Sequence, residues 1–130
     1  MADDLEKVPD DSCVLRRITS VYLRLDPGTG RRRLTSGAFK DREMSVDAEA
    51  LMAADAVDWN FSLRKWPDAF LVRLNAAFLR QKSQIIEHKP KPTEQPDNPY
   101  HCEVIGTKNG STASAIRDAA EWVKKPTDIP

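Results

Sequence analysis

The side chains able to do chemistry at or near strand-like positions are Arg16, Arg17, Ser36, His88, His101 and Glu103. Those types can hold an anion, move a proton or supply a nucleophile, provided the sequence around them builds the necessary setting. No GxSxG turn surrounds Ser36, so nothing strains and exposes its hydroxyl as a nucleophile would require. His88 and His101 lie on either side of a proline-rich stretch with no HExxH spacing, and the two cysteines, Cys13 and Cys102, form no CxxC. A metal set is therefore not expected, and neither is any cofactor. Residues 106–112 (GTKNGST) place Lys108 and Ser111 between a strand and a helix, where backbone N–H groups could hold a phosphate or carboxylate. The GxxxxGK[ST] spacing of a Walker loop is absent, and an ordinary capped turn explains the same residues.

A second kind of chemistry is carried by charge. Twenty Lys and Arg against twenty Asp and Glu leave a net charge of zero, so no global field argues for nucleic acid or membrane. The charges nevertheless fall in blocks. Residues 1–13 carry five acids and one base, residues 14–42 eight bases and two acids, and residues 43–59 five acids and no base. Within the basic block, Arg31, Arg32 and Arg33 follow the turn sequence DPGTG at residues 26–30, which predicts an exposed loop tip, supported by Arg24, Lys40 and Arg42. Such a patch can meet an acidic protein surface, including the acidic leader of a second copy. It can also meet nucleic acid with Tyr22 and Phe39 stacking, although no RNP, KH, zinc-finger or helix-turn-helix signature accompanies it.

The elements that must position these residues read as follows. With 130 residues and 40% hydrophobic content, one domain is expected, and no apolar run exceeds five residues, so no spanning helix or secretory segment is expected. Residues 1–11 read as a mobile acidic leader, 12–125 as the domain and 126–130 as a short tail. Strand patterns cover residues 13–18, 21–25, 34–39, 43–46, 69–74, 84–88 and 100–106, although 21–25 is short enough to be a helix instead, with Gly37 expected at a bulge or close approach. A helix is expected over 47–56 with Asp47 as its cap, and a short one over 76–82 capped by Asn75. A last helix, capped by Ser111 or Thr112, carries the stripe Ile116, Ala119, Ala120, Val123 until Pro126 stops it. Residues 57–67 are aromatic and irregular, and the four prolines of residues 89–99 predict an exposed connector or contact loop. With 34–39 and 43–46 as short extended pieces about one turn and 21–25 open between strand and helix, these stretches count as five or six short strands, and with about three helices in a non-alternating order they give α+β, a small mostly antiparallel sheet with helices packed on it.

Two resemblances add to this reading. The order of Arg16 or Arg17, the Thr35-Ser36 pair and Glu103 resembles that of ADP-ribosyltransferase-like enzymes. It implies an arginine on a dinucleotide phosphate, Ser36 bracing a nicotinamide pocket and Glu103 stabilising an oxocarbenium-like centre, although His101 and Cys102 stand before Glu103 where that family has an acid-turn-acid context. The segments VLRRI, GRRRLTSGAFKDREMSVD and DNPYHCEVIG, with a terminal EWV, are similar to a family of small uncharacterised bacterial proteins. That resemblance implies a bacterial, cytoplasmic setting and no catalytic residues. The first expectation is thus a non-catalytic accessory protein, docking on a protein partner or a second copy through Arg31, Arg32, Arg33, Lys40 and Arg42. The alternative is a small nucleotide- or NAD-acting enzyme using Arg16, Arg17, Ser36, His101 and Glu103.

Overall fold

Alternation along CVLRRI decides the centre of the molecule: Val14 and Ile18 enter one hydrophobic core, while Leu15 enters a second, and both are almost wholly buried. A strand buried on both faces must lie inside a sheet covered on both sides. The computed structural model, which describes residues 2–93 and 97–129, has this arrangement. Along the chain run β1 (Cys13–Ile18), β2 (Leu23–Asp26), β3 (Arg31–Leu34), β4 (Glu43–Ala48), α1 (Glu49–Ala54), β5 (Phe70–Asn75) and α2 (Ala76–Gln81). Then follow β6 (Ile85–His88), β7 (His101–Ile105), α3 (Gly110–Ala119) and β8 (Glu121–Lys124). Six strands form one sheet in the order β6-β7-β4-β1-β5-β8, with every pairing antiparallel, and β2 and β3 form a separate hairpin. The class is α+β, as the order of elements predicts.

One face of the sheet carries the larger core, in which Val14, Met44, Val46, Val72, Leu74, Ile86 and Val104 meet Leu79 of α2, Ile116 of α3 and Phe39. The other face is covered over part of its width by Met52 of α1, Leu63 and Tyr100, packed on Leu15 and Leu71. Cys13 and Cys102 are both free; Cys102 belongs to the larger core, and burial pushes its thiol up to about 12. No helix among the described residues is long and apolar enough to cross a membrane.

Several local expectations are corrected by pairing. Within 21–25 the chain divides into a 3-10 turn over 20–22 and the strand β2, residues 36–39 form a 3-10 turn where extended chain is expected, and Gly37 sits inside that turn, not at a bulge. Asp47 does not cap α1. It pairs with His101 of β7 and Leu15 of β1, so β4 continues to Ala48 and the helix begins at Glu49. Asn75 does cap α2, accepting from the Phe78 N–H at 2.9 Å. Asn109, not Ser111 or Thr112, caps α3, accepting from the Thr112 N–H at 2.9 Å. The last helix ends at Ala119 without reaching Pro126, because EWVK adds to the edge of β5 with Trp122 packing against one core and Val123 against the other. That is the period of a strand, and four residues at the end of a helical stripe conceal it.

The leader and tail are docked, which corrects the boundaries at 12 and 125. Val8 is fully buried in the larger core. Asp4 donates its N–H to the Ile86 carbonyl at 2.9 Å, while the Asp3 and Asp4 carboxylates accept from the N–H groups of Ile86 and His88 at 3.2 and 2.6 Å. The carboxylates thereby satisfy donors on the open edge of β6, where an unpaired strand would otherwise invite another chain. Arg80 of α2 ties the segment down through Asp3 and Asp10 at 2.9 and 2.8 Å. At the other end Asp128 grips Arg32. Residues 1, 94–96 and 130 lie outside the described residues, so the leader, the proline loop and the tail are each described only in part.

Candidate functional site

Two places gather functional side chains: the β2–β3 hairpin and a polar cleft on the half-covered face of the sheet. The hairpin turns where the Gly30 N–H donates to the Asp26 carbonyl at 2.8 Å and the Gly28 N–H to the Asp26 carboxylate at 2.9 Å. Gly30 has φ +71°, a conformation that suits glycine there. Register then sorts the side chains. Leu23 lies opposite Leu34 and Leu25 opposite Arg32, whereas Arg24 lies opposite Arg33 and Asp26 opposite Arg31. Cross-strand partners share a face, so Arg24, Arg31 and Arg33 are together on the face away from Leu23 and Leu34, which root the hairpin in the core. All three arginines are exposed.

Arg32 leaves the expected docking set. Its Nε and Nη2 donate to the two oxygens of Asp128 at 3.0 and 2.9 Å, and its backbone N–H donates to the same carboxylate at 3.1 Å. These hydrogen bonds hold the Asp128 carboxyl well below the usual carboxylate range. Arg42 also turns away from the expected docking set. Lys40 is exposed after the 36–39 turn, and Arg42 donates from Nη1 to Thr107 Oγ1 at 3.3 Å, in the loop after β7.

The anion reading of Lys108 and Ser111 is corrected. Lys108 is buried, and its Nζ donates to the carbonyls of Val104, Arg42 and Gly106 at 2.9, 3.2 and 3.2 Å. It staples its own loop inward, and burial drives its ammonium down to about 8 despite the opposing Asp41, with Arg16 and Arg42 adding to the fall. Ser111 Oγ donates to Asn109 Oδ1 at 2.9 Å.

The enzyme set divides across the sheet. Arg16 is buried on the larger-core side, donating from Nε to the Ala38 carbonyl at 3.1 Å, from Nη1 to the Ser45 carbonyl at 3.1 Å and from Nη2 to Asp41 at 3.3 Å. Ser36 lies in the turn that this guanidinium fastens. Arg17, His101 and Glu103 project to the opposite face by strand alternation, and Glu103 pairs with Lys89 at 2.9 Å. The Arg, Ser, Glu order therefore does not become one site.

Arg17 and His101 do meet, in a cleft of about 260 Å³ together with Asp47, Ser62, Arg64, Trp66, Lys91 and Asn98. Asp47 is buried, accepting from Ser62 Oγ at 2.7 Å and from Asn98 Nδ2 at 2.8 Å, so both carboxylate oxygens are committed. The Arg17 guanidinium lies 3.4 Å from the centre of the Trp66 ring. Arg64 lies 4.1 Å from that of Phe61 and donates to the Phe61 carbonyl at 3.0 Å. Asn98 is held in place by a backbone bridge to Lys91 at 2.8 and 2.9 Å. The described ends of the proline loop are thus folded onto the cleft.

His101 closes the cleft floor. Its Nδ1 faces the Lys89 carbonyl at 2.8 Å, and its Nε2 is buried with no hydrogen-bond partner among the described residues. Because Ser62 donates to Asp47 and His101 faces a backbone carbonyl, the serine-histidine-aspartate relay is broken at both joints. Burial, with a smaller contribution from Lys91, lowers the His101 pKa against the pull of the Lys89 carbonyl, Asp47 and Glu103. The unfolded chain therefore takes up a proton at this histidine at a higher pH than the folded chain does. Stability should fall as pH drops below about 6.5, until the folded imidazole also protonates. Urea midpoints at about pH 7.5 and about pH 5.5 are expected to differ less in His101→Gln than in the wild type; equal differences would show that His101 does not contribute.

Sequence reasoning missed Asp47, Ser62, Arg64, Trp66, Lys91 and Asn98 as a group. The available signal was local: Ser45 and Asp47 alternate with Met44 and Val46, which turns both polar side chains to the second face of β4. Among the described residues no cluster of three or more His, Cys, Asp or Glu could hold a metal ion. Compared with protein-family models, curated proteins and solved structures, the chain matches none. What the fold defines is an α+β protein with a projecting cationic hairpin and a polar cleft.

Proposed function

We propose that the chain is a non-catalytic accessory protein of a bacterial cytoplasm that docks on an acidic surface of a larger protein through the outer face of the β2–β3 hairpin. The observation that carries this reading is the placement of Arg24, Arg31 and Arg33 together on an exposed face of the hairpin, facing a single carboxylate, Asp26, already engaged by the turn. Guanidinium groups suit forked contacts with carboxylates, and a rooted hairpin presents them at little ordering cost. A second copy is a weaker partner, because Asp3, Asp4 and Asp10 of the leader already serve Arg80 and β6 within the chain. Nucleic acid is disfavoured by the zero net charge.

The test is capture from host extract with the wild type, the Arg24→Glu/Arg31→Glu/Arg33→Glu variant and Arg32→Ala. The triple variant is expected to lose the captured acidic protein while melting normally, and Arg32→Ala to retain it. Retention by the triple variant would remove the hairpin from the interface. Loss of a nuclease-sensitive species instead would assign the face to nucleic acid.

A further inference from the structure

The β2–β3 hairpin pairs with no other strand, and its hydrogen bonds define what its two edges offer. The Thr35 N–H donates to the Tyr22 carbonyl at 2.9 Å inside the hairpin, while the Arg32 N–H donates outward to Asp128 at 3.1 Å. Opposed residues of an antiparallel pair alternate between bonding each other and turning their backbone groups outward. Arg24 and Arg33 are therefore a bonded pair, whereas Leu23 and Leu25, opposite Leu34 and Arg32, turn N–H and C=O away from β3. The Leu23 N–H is taken by the Ser20 carbonyl. The Leu25 N–H and C=O and the Leu23 C=O have no partner among the described residues, and the Leu25 side chain is 61% exposed.

The other strand edges are closed or blunted. Asp128 occupies the β3 edge at Arg32, and Asp3 and Asp4 occupy that of β6. β8 shifts register against β5 and leads into Lys125 and Pro126, and irregularity, lysine and proline are devices that blunt an edge. The β2 edge keeps a regular register, and it borders the face that carries Arg24, Arg31 and Arg33.

We propose that the acidic partner docks by strand addition, an extended segment of it pairing antiparallel with the outer edge of β2; this rests on the docking reading of the hairpin. One incoming apolar residue opposite Leu25 exchanges both backbone hydrogen bonds with it, and the apolar residue two positions on donates to the Leu23 carbonyl. Pleating sets the residue between them opposite Arg24, on the arginine face, where a carboxylate is matched. The residue before the first apolar one lies opposite Asp26, where an uncharged side chain avoids like charge. The segment thus reads uncharged, apolar, acidic, apolar. A second copy fits the edge less well. In the β2-on-β2 register that matches Arg24 with Asp26, Leu23 faces Pro27, which has no N–H, and in the adjacent register Arg24 faces Arg24.

The experiment titrates the isotopically labelled full chain with a blocked peptide, threonine-valine-glutamate-valine-glutamate, and with the same peptide N-methylated either on both valines or on both glutamates. In the antiparallel register the valine amides face β2 and the glutamate amides face solvent. Saturable binding of the unmodified peptide at about 1 mM or tighter is expected, with the Leu25 amide becoming protected from exchange. Valine methylation is expected to weaken binding at least about tenfold and glutamate methylation to leave it nearly unchanged. Leu25→Pro removes an outward N–H and breaks no bond within the hairpin, so it is expected to keep the fold and bind the unmodified peptide at least about tenfold more weakly. The methylated peptides act on the wild type and decide the matter even where that variant unfolds. Equal effects of the two methylations would overturn strand addition, as would an absence of saturable binding or a folded Leu25→Pro chain that binds like the wild type. Loss of the peptide by Arg24→Glu/Arg31→Glu/Arg33→Glu while both methylated forms still bind the wild type would remove the strand and leave the acidic docking reading standing. Binding of that triple variant at wild-type strength, with valine methylation still disruptive, would instead remove the charge reading and keep the edge. Dimerisation of the wild type that Leu25→Pro abolishes would give the edge to a second copy and overturn the proposal.

Discussion

Removing residues 2–9 is expected to cost about 3–5 kcal/mol of folding stability, a large share of the roughly 5–15 kcal/mol that a domain of this kind possesses. The deletion takes Val8 out of the larger core, where it is fully buried, at about 1.5–3 kcal/mol. It also strips the Asp3 and Asp4 carboxylates from the N–H groups of Ile86 and His88 and leaves the partly buried Arg80 with Asp10 alone. Each lost charge-assisted bond adds about 1–3 kcal/mol, discounted where water replaces it. The bare edge of β6 also becomes available to other chains, so aggregation on warming is expected together with the lower urea midpoint. A truncated chain with an unchanged midpoint would mean that the segment only decorates the fold.

The second large effect is expected at Arg16. Its guanidinium reaches Ala38, Ser45 and Asp41, tying the 36–39 turn and the following loop to the centre of the sheet. Arg16→Met keeps the stem and removes every donor, leaving the buried Ala38 carbonyl without that partner. A loss of about 2–4 kcal/mol follows from unsatisfied buried acceptors, measured by equilibrium urea unfolding. Phe39 and Met44 flank the tie and are fully buried, so their amide protection should fall in the same variant. Arg17→Met, on the opposite face, is expected to leave the protection of Phe39 and Met44 unchanged, because its guanidinium lies on Trp66 and away from the 36–39 turn. An equal fall in their protection in the two variants would contradict the assignment of the tie to Arg16.

The contrast between these neighbours shows how much could be read in advance. The alternation of CVLRRI, the turn chemistry of DPGTG, the cap at Asn75 and the strand FLVRLN are local signals, and the fold follows them. Asp47 looks like a helix cap because its carboxylate and the helix formers after it are local, whereas its pairing with His101 spans the chain and leaves no local mark. EWVK reads as helix for the same reason, since only the free edge of β5 makes it a strand. The arginine triplet shows the same limit. Exposure of Arg31 and Arg33 is legible from the turn, but the loss of Arg32 to Asp128 depends on a tail 96 residues away. The cleft was the least legible part, being assembled from β1, β4, β7, the aromatic segment and the proline loop.

The docking claim is tested most directly by mapping where an acidic chain touches the molecule: the labelled protein is titrated with a short polyglutamate peptide and backbone and arginine side-chain shifts are followed residue by residue. Shifts confined to Arg24, Arg31 and Arg33 on the outer face of the hairpin, disappearing as salt is raised, are the expected result. Shifts centred on other cations, with the outer face of the hairpin silent, would contradict it.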